Sequence, residues 1–330
     1  MGVTIADITK LRKMTGAGMM DCKNALTQAN NDFDEAMKII REKGKAVAAK
    51  RSDREASEGC VLVKVDGNFG AMIALKCETD FVANNADFIA LTQNILDAAV
   101  ANRCKTLDEV KALTIGGSCV ADLVTDRSGI TGEKMELDGY LTVEGEAVYA
   151  YNHQNKNFLC TLAVLNKPSF DEAGHEVTLQ IAAMNPIAVD EAHVAQSVKD
   201  SEMAVAIEKT KEEQVNKAVE NALKKAGFNL YISENEDHLA EGIAKGMITE
   251  AQADEIRHIK EETAKQKAAN MPEQMVQNIA RGRMAKFYKD VCLLQQEYNK
   301  DAKLSVAEYL HKFDKDLTVT DFKRFTLRAE

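Results

Sequence analysis

The hydrophobic period changes at residue 59, and that change excludes a fold of one class. Before it, apolar residues fall at i, i+3 and i+4 in three sets: Ile5, Ile8 and Leu11; Cys22, Ala25, Leu26 and Ala29; Phe33, Ala36, Met37 and Ile40. Each set marks the buried stripe of an amphipathic helix. Breaks at Thr15-Gly16-Ala17-Gly18 and Asn30-Asn31-Asp32 separate them, so residues 4–50 predict a small three-helix bundle. From 59 to 77 two apolar, β-branched runs flank Asp66-Gly67, a strong local signal for a β-hairpin.

A helix follows with Phe88, Leu91, Ile95 and Ala99 in register, and 105–128 reads as further helix. Tyr140–Val143 and Ala147–Tyr151 read as strands around Glu144-Gly145-Glu146. A strand at Phe158–Leu165 comes next, then a helix over 171–184 that ends ahead of Asn185-Pro186. The unit of hairpin then helix thus recurs, and the expected class is α+β, two antiparallel sheets with helices packed on them. Residues 190–270 are dense in charge and lack proline. Lys199–Lys225 predicts a long helix with Val205, Val215, Val219 and Leu223 as a thin apolar seam, stopped by Gly227. Thr249 and Gln252 form a capping box that opens a second helix through Ala268. Two such helices joined by a turn make a projecting, coiled-coil-like hairpin. Pro272 opens another amphipathic helix with Met275, Val276 and Ile279. A short helix holds Val306 and Leu310, and Leu317–Leu327 alternates as a last strand.

Composition limits the function. A net charge of −10 argues against broad, salt-driven binding to nucleic acid. The charge is uneven: residues 1–55 carry eleven basic and eight acidic side chains. Lys43–Arg54 is basic and weakly patterned; its second half reads as a linker, and it is the one segment on which an RNA- or ribosome-binding alternative could rest. No run of residues is long and apolar enough to span a bilayer, and the start MGVTIADITK has no secretory leader, so the expected location is cytoplasmic. Seven scattered cysteines without a CxxC pair fit free thiols in a reducing compartment.

Catalytic motifs are missing. No phosphate-binding GxxxxGK[ST] loop exists, and Gly16-Ala17-Gly18 lies between helices without the third glycine of a dinucleotide fingerprint. The six histidines show no HExxH pattern, and no serine sits in GxSxG. No cofactor is expected, and an enzyme would need an unfamiliar site.

Three clusters remain. In Leu11–Lys23, Met19 and Met20 are neighbours that cannot face the same side of a short helix. The plain alternative is a helix corner with methionine filling the core; otherwise one methionine looks outward near Arg12 as an adaptable contact for a partner helix. In Cys77–Asn85, either Thr79 or Asp80 caps a helix while Phe81 folds into the core, or Asp80 and Phe81 stand at a loop tip as a wedge and a hydrogen-bond competitor. Tyr151–Asn155 is a polar turn whose His153 is either simply solvated or part of a contact.

Together these segments carry a resemblance. Thr15–Lys23 (TGAGMMDCK) and Thr79–Ala83 (TDFVA), in this order and separation, resemble the two signature segments of the bacterial translation elongation factor Ts family, and Gly282–Tyr288 is similar to its late helix. The resemblance covers about 1–190 and 272–327. It implies a ubiquitin-associated-like (UBA-like) bundle at 1–52 and a core subdomain at 53–139. A second core subdomain would span 140–195 and 272–330, with a helical hairpin insertion at 196–271. It implies a guanine-nucleotide exchange factor that does no covalent chemistry, with the GTPase elongation factor Tu as partner and neither nucleic acid nor membrane. A homodimer through core or hairpin stays an open alternative. Arg12, Met19 and Met20 would grip a helix of the GTPase. Asp80 and Phe81, followed by Val82, would insert near its magnesium, and His153 would meet a distal domain. The segment 195–270 reads as enlarged, and no counterpart is seen for a C-terminal helical module that some members carry.

Overall fold

Three helices open the chain in the computed structural model, which describes Gly2–Arg328. They are α1 (Ile5–Thr15), α2 (Met19–Gln28) and α3 (Phe33–Lys50). Thr4 and Asp7 form a capping box on α1, and Asp32 caps α3. Ile8, Leu11, Cys22, Ala25, Leu26 and Ala36 meet in one small core, as their spacing predicts. Helix α3 runs to Lys50, so the presumed linker shrinks to the turn that follows.

β1 (Glu58–Asp66) and β2 (Phe69–Cys77) pair antiparallel as the expected hairpin, with Gly67 at φ +58 in the two-residue turn. After it come α4 (Asp80–Ala83) and α5 (Ala86–Ala101). The helix expected at 105–128 is two, α6 (Leu107–Ala112) and α7 (Val120–Thr131). They are split by the small ladder β3 (Thr114–Ile115) and β4 (Ser118–Cys119), where Gly116 and Gly117 take positive φ.

β5 (Glu136–Glu144) corrects the sequence reading. It pairs with β2, giving the sheet order β1-β2-β5. The second hairpin is instead β6 (Ala147–Asn152) with β7 (Leu159–Leu165). Glu144-Gly145-Glu146 therefore carries the chain from one sheet to the next, and the junction lies there rather than before Tyr140. Alternation marks a strand and its buried face, but pairing is a long-range choice that alternation does not encode. Helix α8 (Asp171–Met184) follows as expected.

The chain then leaves this unit for a second one, Asp190–Gln296. It holds α9 (Gln196–Lys225), α10 (Glu236–Ala244), α11 (Glu250–Ala269) and α12 (Glu273–Val291). Leu223 of α9 packs with Leu239, Ala253 and Ile256. The Thr249–Gln252 capping box forms as predicted. Three expectations fail here. Val205 is 40% exposed, and the buried positions of that half of α9 are Ala206 and Thr210. The connection from α9 to α11 is no simple turn but holds α10. And α12 packs on α9, with Arg283 paired to Glu213, so the chain leaves the helical unit at Glu297 rather than at 272.

The first unit resumes with β8 (Glu297–Tyr298), β9 (Asp301–Ser305), α13 (Val306–His311) and β10 (Val319–Thr326). β10 pairs with β7, so the second sheet reads β10-β7-β6. Both sheets thus repeat one plan: a hairpin, a helix, then a third strand laid beside the hairpin's second strand. Their inner faces pack together through Met72, Val143, Leu162 and Val164. The outer face of the first sheet, with Phe69, Ala71, Ile73 and Leu75, is covered by Phe88, Ile95 and Leu96 of α5. α8 covers the second sheet, where the Thr161 hydroxyl donates to the Thr178 carbonyl at 3.0 Å. This explains why β2 is buried on both faces along nearly its whole length. The fold is mixed helix and antiparallel sheet, the α+β class expected.

Candidate functional site

Among the described residues of the first unit, Phe81 is the most exposed large apolar side chain, at 86%. It lies just past the end of the largely buried strand β2. Thr79 caps the single turn α4 and accepts from the Val82 N–H at 3.4 Å, as a capping residue should. The staple half of that expectation fails, because Phe81 does not fold into the core. Val82 and Ala83 pack on the core instead, while Asp80 and Phe81 face solvent. Hiding a phenyl ring would have gained roughly 2 kcal/mol. The fold leaves that gain unused.

Two carboxylates brace this tip. Glu133, between α7 and β5, accepts the backbone N–H groups of Glu78 and Thr79 on Oε2, each at 3.1 Å. Its Oε1 accepts the Thr79 hydroxyl at 2.6 Å. In return, Glu78 Oε1 accepts the Lys134 N–H at 2.6 Å. Arg51 and Arg54, just beyond α3, also donate to Glu78, at 3.3 and 3.0 Å. The Glu78 carboxyl is held below its ordinary value of 4.5, first by the Lys134 N–H and then by the two arginines. A carboxyl depressed in this way stabilises the fold above its unfolded pKa, and that contribution fades as pH falls through the folded value. Glu78→Gln is therefore expected to lower the melting temperature at pH 7. The gap to the parent should shrink below about pH 4.5; a gap that stays constant on acidification would remove Glu78 from this role.

The α1–α2 corner presents a second surface. Met19 and Met20 are both outward, 54% and 65% exposed, so the core-filling alternative fails for both. Met14 is 52% exposed, Ile5 77%, and Arg12 is exposed on the last turn of α1. Cys22, Ala25 and Leu26 supply the core of α2.

His153 sits in the turn between β6 and β7 and is half-buried, not simply solvated. Its Nδ1 is 3.2 Å from the Tyr151 hydroxyl, and its ring meets Tyr151 and Phe158 edge-on at 5.8 Å. The predicted residues thus occupy three separate corners, each held by its own neighbours.

Sequence reasoning missed Glu133, Glu78 and the two arginines. Glu78 adjoins TDFVA and was within reach. Glu133 had no signal, because its partners lie more than fifty positions away. The basic segment reads differently too. Lys43 pairs with Asp21, and Arg51 and Arg54 with Glu78, so much of its charge is engaged inside the protein. The cysteines are free, and all but Cys119 are buried; burial pushes Cys60 and Cys77 up to about 12, so these thiols behave as core residues. Among the described residues no helix is long and apolar enough to cross a membrane.

Comparison with known proteins adds the family. The model of the family "Elongation factor TS" matches residues 78–329. A protein named elongation factor Ts from Bacteroides fragilis is 65% identical over 330 residues, all of both chains. Proteins of the same name from Phocaeicola vulgatus and Porphyromonas gingivalis are 64% and 44% identical, again over the whole of both chains. With the family model covering most of its length and such relatives covering all of it, this chain belongs to the elongation factor Ts family.

Proposed function

We propose that the protein is a guanine-nucleotide exchange factor for the GTPase elongation factor Tu, acting in the cytoplasm during translation elongation and without covalent chemistry. The observation that carries this reading is Phe81, left in water at the tip of a braced turn with Asp80 beside it. In the proposed mechanism the three-helix bundle, a UBA-like module, grips a helix of the GTPase with Arg12, Met19 and Met20. The exposed methionines suit such a contact, since thioether side chains adapt to irregular surfaces. Phe81 then wedges between switch-region helices of the GTPase. Asp80 competes for polar contacts near its magnesium, and Val82 fixes the turn behind them. His153 and its aromatic neighbours meet the distal domain. A second copy of the chain is a further partner, met through the core or through the helical unit.

Linkage sets the direction. If the exchange factor weakens GDP binding, GDP must weaken binding of the factor by the same ratio, and the wedge is expected to realise this as faster GDP release. The test is release of a fluorescent GDP analogue from elongation factor Tu, chased with excess GDP. Sub-stoichiometric protein is expected to accelerate release through many turnovers. Unaltered release at saturating protein would overturn the reading.

A further inference from the structure

We propose that Glu133 is a positioning residue for the Asp80–Phe81 tip. It rests on the exchange-factor reading for its functional half and on geometry alone for its structural half.

The physical problem is that α4 has only four residues. One helical turn fixes several backbone dihedrals for a single hydrogen bond, so it does not hold its shape unaided. Its exposed face offers no packing, because Asp80 and Phe81 both point to solvent. Order must come from behind. Glu133 provides it by taking two consecutive N–H groups and one hydroxyl on a single carboxylate, which fixes Glu78 and Thr79 immediately before the turn. Glu78 returns the contact to the Lys134 N–H, so each strand of the clasp is held by the other's side chain. The Lys134 ammonium closes the ring on the Arg54 carbonyl at 2.8 Å. The Cys77 thiol adds a contact to the Thr79 carbonyl at 3.2 Å. A wedge that must meet its target in one orientation gains most from such bracing when it acts, not when it merely binds.

The chain contains no tryptophan, so Phe81→Trp creates a single tryptophan reporter at the tip, excited apart from the tyrosines. In the Phe81→Trp background, Glu133→Ala is expected to speed the local anisotropy decay, and Glu133→Gln, which keeps one acceptor, to give an intermediate rate. In the otherwise native chain, Glu133→Ala is expected to lower the maximal rate of GDP release by about 10- to 100-fold. The protein concentration at half-maximal rate should move far less, and Glu133→Gln should recover part of the rate. Phe81→Ala runs beside them. Loss of exchange in Phe81→Ala with native rates in Glu133→Ala would overturn the positioning role alone. No loss in Phe81→Ala would overturn the wedge reading, and the anisotropy decay would still judge the clasp. An unchanged decay in both Glu133 variants, or a maximal rate that falls only in step with global melting, would also overturn the proposal.

Discussion

Phe81→Ala is expected to abolish most exchange activity while leaving stability within about 0.5 kcal/mol of the parent. The two halves of this result have one cause. A side chain that is 86% exposed contributes little to the core, so its removal opens no cavity. The same exposure makes it available to a partner. Aromatic residues that anchor an interface carry on the order of 2 kcal/mol or more each, which corresponds to about a 30-fold loss. Chased release of a fluorescent GDP analogue reads the first half, and thermal melting reads the second. Native release rates from a well-folded Phe81→Ala protein would remove the wedge from the mechanism. Asp80 is the natural companion: it is equally outward on the same turn, so its alanine variant should also fold normally.

Gly129→Ala should produce a large stability loss from a single methyl group. Helices α3 and α7 cross where Gly44 meets Gly129, and a Cβ on Gly129 would stand 2.2 Å from the Gly44 Cα. That neighbour is backbone, so no side chain can rotate away. The helices must separate, which strains Arg41 against Asp126 and Ser118, now 3.3 and 2.9 Å away. Overpacking of this kind costs about 1–3 kcal/mol or more, even after the better helix propensity of alanine. The crossing is asymmetric, which makes the prediction sharp. A Cβ on Gly44 would meet the Gly129 Cα at 3.5 Å, ordinary contact, so Gly44→Ala should change stability by less than about 1 kcal/mol. Urea unfolding of the two variants measures the difference, and amide exchange in α1–α3 reports whether the bundle has come away from α7. Equal effects at the two positions would mean that the crossing is not the limiting contact.

Much of the architecture was legible because it is local. The β1–β2 hairpin follows from two β-branched runs and an Asp-Gly turn, α5 from its apolar period, α8 from its end ahead of Asn185-Pro186, and α11 from its capping box. The failures share a different character. Local pattern marks β5 as a strand but not its partner β2, points to Val205 where the seam runs through Ala206 and Thr210, and does not tell that α12 belongs with the helical unit. In each case several local solutions have nearly equal energy, and a distant surface selects among them.

The tip divides in the same way. Its location between a strand and a helix, its capping threonine and its acid–aromatic pair are properties of nine consecutive residues, Cys77–Asn85. By itself the sequence determined that a turn would stand there, and with it the α+β class and the family. Only the tertiary structure decided that Phe81 stays in water, because the core behind it is already filled by Val82, Ala83 and Phe88. It alone also brought Glu133 and the two arginines to the base of the turn. Hydrogen bonds and ion pairs between residues tens of positions apart leave no periodic trace in a chain; they exist only once packing has brought their partners together.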